Sequence, residues 1–180
     1  MNLLFFSGSF HSSSKSLALI KAIAAMLPEH HCTVPRLDEL PYFCEDLNRD
    51  KPQRVRELLA QVEAADALIT VSPEYNHSIP AVLKNALDWA SRPAFASPLK
   101  GKPVTFVTQG ESPVGGARAQ AHLKLVLDAT LSRIYPSHEM LIGAVQTALN
   151  AERELVDAAV QRRLQRHLEE FLAFAGEAKR

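Results

Sequence analysis

The chain has 180 residues, enough for one domain with a sizeable core. Twenty Lys and Arg balance twenty Asp and Glu, so no broad electrostatic case exists for nucleic acid or an anionic membrane surface. Cys32 and Cys44 make no disulfide framework and lack metal-ligand spacing, and no apolar run approaches the roughly 18 to 20 residues that span a bilayer. The reading is a single domain over 1–180, cytoplasmic, with reduced structural thiols and no metal. Leu3-Leu4-Phe5-Phe6 is too short for a signal-peptide core and has no basic residue before it.

Strand-like and helix-like patterns alternate along the chain. Leu3 to Phe6 is a continuous apolar run ending at Ser7-Gly8-Ser9, as expected of a strand buried on both faces and then a turn. Leu17, Ile20, Ala24 and Leu27 predict a helix from Ser16 to Leu27, stopped by Pro28. A weaker strand is expected around Cys32-Thr33-Val34. Residues 35–51 hold Pro35, Pro41 and mixed charges without a period, and read as irregular loop. Val55, Leu58, Leu59 and Val62 mark an amphipathic helix, and Ala67 to Val71 a strand.

In the second half, Leu83, Ala86, Leu87 and Ala90 line one face of a helix, with Ser78 expected as its cap and Pro80 in its first turn. Val104 to Val107 is a strand, followed by a loop from Gly110 to Gly116 and a helix through about Leu131. Met140-Leu141-Ile142 is the last strand. A terminal helix over 152–174 carries Val156, Val160, Leu164, Leu168 and Leu172 every fourth residue. Five strands interleaved with helices predict an α/β doubly wound parallel sheet. Such sheets bind ligands beyond the carboxyl ends of their strands, which singles out loops 7–16, 72–79 and 108–116.

In the first loop the hydroxyls, a helix N-terminus and Lys15 suit a phosphate, although a Ser-rich helix start reads equally well as an ordinary cap. It is not a P-loop, which needs Gly at position 13 and Lys at 14 where Ser13 and Ser14 stand, and Gly8 alone makes no dinucleotide fingerprint. In the second loop, Tyr75 has a flat face with a polar tip and Asn76 both donates and accepts. Trp89 and Asp88 lie in the following helix, where core or interface packing and a solvated carboxylate are the plain readings.

Pro73 to Trp89 matches P-E-Y-N-x-x-x-P-x-x-L-K-N-A-x-D-W at every specified position. In this the chain resembles the NAD(P)H-dependent FMN reductases of the flavodoxin-like fold, over about residues 3–143. The third loop is also similar, with Gly115-Gly116 leading into Ala117 and Arg118. The first loop departs from the family pattern G-S-x-R-x-x-S-x-N: Gly8, Ser9 and Ser14 fit, but His11 and Ser16 stand at the arginine and asparagine positions, and Gly110 replaces a usual serine. Arginine is a permanent bidentate phosphate ligand and histidine is not, so either Lys15 restores part of the charge or FMN is held more loosely.

The resemblance implies a three-layer flavodoxin-like sandwich with a five-stranded parallel sheet in the order 2-1-3-4-5. It also implies bound FMN, with NADPH or NADH as co-substrate and a small-molecule electron acceptor such as free flavin, a quinone, an azo compound or chromate. FMN would be held by Ser9, His11, Ser14, Lys15 and Ser16 at the phosphate and by Pro73, Glu74, Tyr75, Asn76 and Gly110 at the ring. No side-chain acid, base or nucleophile is assigned, because the cofactor carries the redox step. The predicted helix after Gly116 has more apolar surface than one stripe on a sheet requires, which motivates a homodimer or dimer of dimers through it and the 80–91 helix. On it, Arg118 and His122 read as solvated or as facing a partner's site. The rival readings are a flavodoxin-like electron carrier, disfavoured by the neutral charge balance, and a flavin-free binding module.

Overall fold

Leu3 and Phe5 of the first strand pack into one hydrophobic cluster, while Leu4 and Phe6 pack into a second, and all four are fully buried. A strand apolar on both faces needs a cover on each side, and this chain supplies it with two helical layers. The structure, a computed structural model, describes residues 1–177; of the expected 1–180 domain, 178–180 lie outside the described residues.

The strands are β1 (Asn2–Ser7), β2 (His31–Thr33), β3 (Ala67–Pro73), β4 (Pro103–Gln109), β5 (Arg133–Ile134) and β6 (Met140–Ile142). They form a parallel sheet in the order β2-β1-β3-β4-β5, with β6 also paired to β4. The fifth position is thus shared: β5 pairs with the start of β4 through Pro103↔Arg133, and β6 with its end through Val107↔Met140. The stretch between them contains Pro136, which has no N–H to give a ladder. The two-residue β5 is too short for an apolar pattern to reveal, and the sequence reading missed it.

The helices are α1 (Lys15–Ala25), α2 (Gln53–Ala64), α3 (Ala81–Ala90), α4 (Ala117–Ala129), the short α5 (Val145–Ala148) and α6 (Ala158–Glu177). Residues of α1 and α6 join the cluster of Leu3 and Phe5, and those of α2, α3 and α4 join the cluster of Leu4 and Phe6. No described helix is long and apolar enough to cross a membrane.

Three local expectations change. The terminal helix begins at Ala158 rather than 152, because Asp157 Oδ1 accepts the amides of Ala159 (2.8 Å) and Val160 (3.0 Å) as an N-cap, leaving Val156 outside the helix and exposed. Ser78 does not cap α3; Pro80 holds that position, and the Ser78 hydroxyl meets His122 Nδ1 at 2.8 Å. Cys32 is half-buried but Cys44 is exposed, so only the first fits a structural thiol.

Candidate functional site

Chain order places β2 on one side of β1 and β3 on the other, so the direction in which successive strands are added reverses between β1 and β3. That reversal opens a crevice at their carboxyl ends. Register then aligns the strand ends: Ser7 pairs with Val71, Pro73 with Gln109 and Gln109 with Ile142. The loops after β1, β3 and β4 meet there around a cavity of about 320 Å3. It is lined by Ser9, His11, Lys15, Pro73, Glu74, Tyr75, Gln109, Gly110 and Glu111. The loops approach closely because Gly8 has no side chain: a Cβ there would lie 2.5 Å from Ser72 Oγ and 2.9 Å from Pro73 Cδ.

In the first loop, Ser14 caps α1, its Oγ accepting the Leu17 amide (3.2 Å) and donating to the Ser9 carbonyl (3.0 Å). Ser7 Oγ donates to the same carbonyl at 2.7 Å, while Ser9 Oγ itself is buried without a hydrogen-bond partner. His11 turns back on its own loop, where Nδ1 lies 3.3 Å from the Ser13 amide and 3.1 Å from its hydroxyl. Ser16 is fully buried and reaches the cavity only through Gln109, whose Nε2 donates to its Oγ at 3.3 Å. Lys15 crosses to Glu111, Nζ to Oε1 at 2.7 Å. A hydrogen bond also ties the loop to the distant 149–155 turn, where the Arg153 guanidinium donates to the Ser12 carbonyl.

The second loop is a minimal hairpin. Tyr75 and Ser78 exchange two backbone hydrogen bonds of 3.0 Å, and Asn76 and His77 between them both take positive φ, 49° and 64°. A two-residue turn of this kind favours Asn at its first position. Asn76 therefore stands exposed at the turn tip, outside the cavity lining, while Tyr75 is 48% exposed beside it.

The third loop is held to the second by charge. Gly116, at φ +81°, occupies the cap position of α4 and has no side chain with which to bind its first amides. Glu74 does so instead, Oε2 accepting from the backbone N–H of Arg118 (3.0 Å) and Ala119 (3.2 Å), and Oε1 from Arg118 Nη1 (3.2 Å). Burial pushes the Glu74 carboxyl upward, but the Ala119 amide and the Arg118 guanidinium and amide outweigh it and hold it below its ordinary range. Arg118 and His122 are thus neither idle nor simply solvated: one grips Glu74 and the other Ser78, pinning both ends of the hairpin.

The rest of the Pro73–Trp89 segment fastens the long 35–51 loop. The Pro41 carbonyl accepts from Trp89 Nε1 (2.8 Å) and Asn85 Nδ2 (3.0 Å), while Asn85 Oδ1 accepts the Phe43 amide (2.7 Å). Trp89 is fully buried, and Asp88 pairs with Lys84 at 2.7 Å on the outer face of α3. Sequence reasoning missed Gln109 and Glu111, whose position directly after a strand among loop residues was the available signal. A larger depression of about 410 Å3 lies at the opposite end of the sheet, between 63–66 and 96–103, with Lys100 and Lys102 but no aromatic ring. Among the described residues no group of three or more His, Cys, Asp and Glu could hold a metal.

Residues 1–147 match the family described as NADPH-dependent FMN reductase. An NAD(P)H-dependent FMN reductase of Pseudomonas aeruginosa is 36% identical over 167 residues, 91% of this chain and 89% of that protein. The NADH:(hydroxy)cinnamate reductase subunit CrdA of Vibrio ruber is 40% identical over 138 residues, 76% of this chain and 67% of that one. The solved structure of the flavoenzyme NAD(P)H:(acceptor) oxidoreductase FerB from Paracoccus denitrificans superposes with a TM-score of 0.88 at 28% identity, covering 98% of both chains. The sheet order, the three-loop cavity and a sequence match over most of the length agree: this chain belongs to the NADPH-dependent FMN reductase family.

Proposed function

We propose that this oxidoreductase lays FMN across the cavity at the carboxyl end of the sheet, with the phosphate on the first loop and the ring against the second and third. The observation that carries the assignment is Ser9, a residue that lines the cavity and whose buried hydroxyl has no partner of its own. A buried polar group left unpaired is costly, and an incoming phosphate oxygen would satisfy it. It sits beside the α1 N-terminus, whose first-turn amides lack intrahelical acceptors and whose dipole favours an anion, and beside Lys15. At the other side, Pro73, the Tyr75 ring and the glycine backbone at Gly110 give a flat, partly apolar wall suited to a heterocycle. The residues present therefore fit FMN.

Ser9 and Lys15 would hold the phosphate, with Ser14 shaping the loop by capping α1 and Ser16 acting through Gln109. His11, folded onto Ser13, would contribute by turning toward the anion. Tyr75 would cover the ring, and Glu74 would position Tyr75 rather than touch the cofactor, since both its oxygens are committed to α4. When bound, FMN supplies the redox chemistry, accepting hydride from NAD(P)H and returning electrons to an acceptor. The acceptor we favour is a quinone, because the cleft is open to a flat small molecule beside Tyr75 and a quinone reductase of Escherichia coli is 35% identical over 127 residues.

The test is an absorbance spectrum of the protein mixed with FMN, before and after NADPH or NADH under argon, then after benzoquinone. Flavin bands that bleach with the nucleotide and return with the quinone are expected. Protein that leaves FMN wholly free in a gel-filtration column, or bound flavin that neither nucleotide bleaches, rules the reading out.

We also infer a homodimer through α3 and α4. Leu125 is 70% exposed on the outer side of α4, with Val114 and Leu131 exposed at its two ends, which is apolar surface that the sheet does not use. Sedimentation showing only monomer at micromolar concentration removes this assembly.

A further inference from the structure

The charges around the cavity are paired off in an uneven way. Glu74 is committed to α4, and Lys15, among the described residues the one lysine or arginine lining the cavity, is engaged by Glu111. The bridge runs from the first residue of α1 to the third loop, so it spans the place where an anion at the helix N-terminus would dock. The Lys15 hydrogen bond, and then its charge, hold the Glu111 carboxyl below its ordinary range.

The two ends of this pair differ in freedom. The Glu111 side chain is 71% exposed, against 31% for Lys15. Its backbone is fixed, the carbonyl accepting from Gln146 Nε2 (3.3 Å) while the neighbouring Gly110 amide donates to Ile142 (3.1 Å). The carboxylate can therefore leave Lys15 by turning about its own side-chain bonds into water, with no movement of the loop. An exposed pair of this kind is weak, worth less than about a factor of ten in an equilibrium, so it can be displaced.

Resting on the assignment of the phosphate to the first loop, we propose that Glu111 is a built-in counter-anion. It occupies Lys15 while the phosphate is away, competes with it for the ammonium, and makes FMN an exchangeable group in this chain. Two anions on one compact ammonium repel each other, so phosphate binding must either expel the carboxylate or accept a weakened Lys15 contact. Among the described residues no arginine lines the cavity to compensate, and Arg153 nearby is engaged by Ser12.

The experiment is calorimetric titration of the flavin-free protein with FMN and with riboflavin, which has the same ring and no phosphate. Glu111→Gln keeps the side-chain shape and removes the charge. It should tighten FMN by about three- to tenfold, leave riboflavin unchanged, and give a smaller gain in a Lys15→Met background. An unchanged or weaker FMN affinity, an equal gain for riboflavin, or an undiminished gain beside Lys15→Met would overturn the counter-anion role while leaving the phosphate site standing. If wild type binds FMN and riboflavin equally and Lys15→Met alters neither, the phosphate assignment itself is wrong and the proposal falls with it.

Discussion

Glu74 Oε2 lies 3.0 Å from the backbone nitrogen of Arg118 and caps a helix that belongs to a different loop. The family motif's glutamate thus acts on α4, whose own cap position is a glycine, and through α4 it fixes the Tyr75 hairpin. Glu74→Ala should lower stability by about 1–3 kcal/mol, since it strands helix amides in a half-buried site. For a domain of this size that is a fall in Tm of roughly 2–4 °C per kcal/mol, read by thermal unfolding without flavin. Glu74→Gln, which keeps an acceptor but loses the charge, should fall between the two; a Tm equal to wild type for Glu74→Ala would show that the cap is idle.

Gly8 allows the first and second loops to touch, and a methyl group there meets Ser72 Oγ and Pro73 Cδ below any ordinary contact distance. Gly8→Ala should push the loops apart, costing about 1–3 kcal/mol by overpacking and weakening FMN in parallel. Urea unfolding and flavin titration of the same preparation check both. Wild-type behaviour in each would mean that the loops yield freely.

His167 is buried against the sheet, its Nε2 2.8 Å from Thr105 Oγ1 and its ring edge-on to Tyr135. Burial pushes its pKa down from 6.5 to about 4, with the Glu170 charge pulling the other way. Between those values the unfolded chain binds a proton that the folded one refuses, so acid favours unfolding. The stability owed to the neutral ring is complete above about pH 6.5 and is lost as pH falls toward 4, up to about 3 kcal/mol. His167→Gln cannot titrate and should flatten this part of the profile. Parallel stability curves for wild type and variant from pH 7 to 4 would refute the assignment.

Much of this site was legible because its chemistry sits in contiguous motifs placed by strand ends. Pro73, Tyr75, Ser9 and Lys15 could be named from order along the chain, and all line the cavity. What escaped depends on partners distant in sequence. Arg118 and His122 read as solvated or as facing a partner's site because Glu74 and Ser78, which engage them, lie 44 residues away. Asn76 reads as a ring ligand because an amide suits that role; its backbone at φ 49° gives it a turn to make as well, which no sequence pattern showed. Ser78 looked like a helix cap by spacing alone, and β5 was invisible because two residues carry no period.

Ser9 separates the cofactor site from the fold most cleanly. Its hydroxyl is buried and unpaired without ligand, so it contributes nothing to the flavin-free protein beyond a desolvation cost. Removing such a group is neutral or favourable for folding, whereas removing a partner of a bound phosphate is not. Ser9→Ala should therefore leave the unfolding midpoint of the flavin-free protein unchanged or slightly higher. The same variant should weaken FMN by about ten- to a hundredfold, a hydrogen bond to a charged group being worth roughly 1.5–3 kcal/mol, and leave riboflavin untouched. Opposite signs in the two measurements are what a ligand-facing hydroxyl requires. Destabilisation of the flavin-free protein together with unaltered FMN binding would make Ser9 a structural residue and move the phosphate elsewhere.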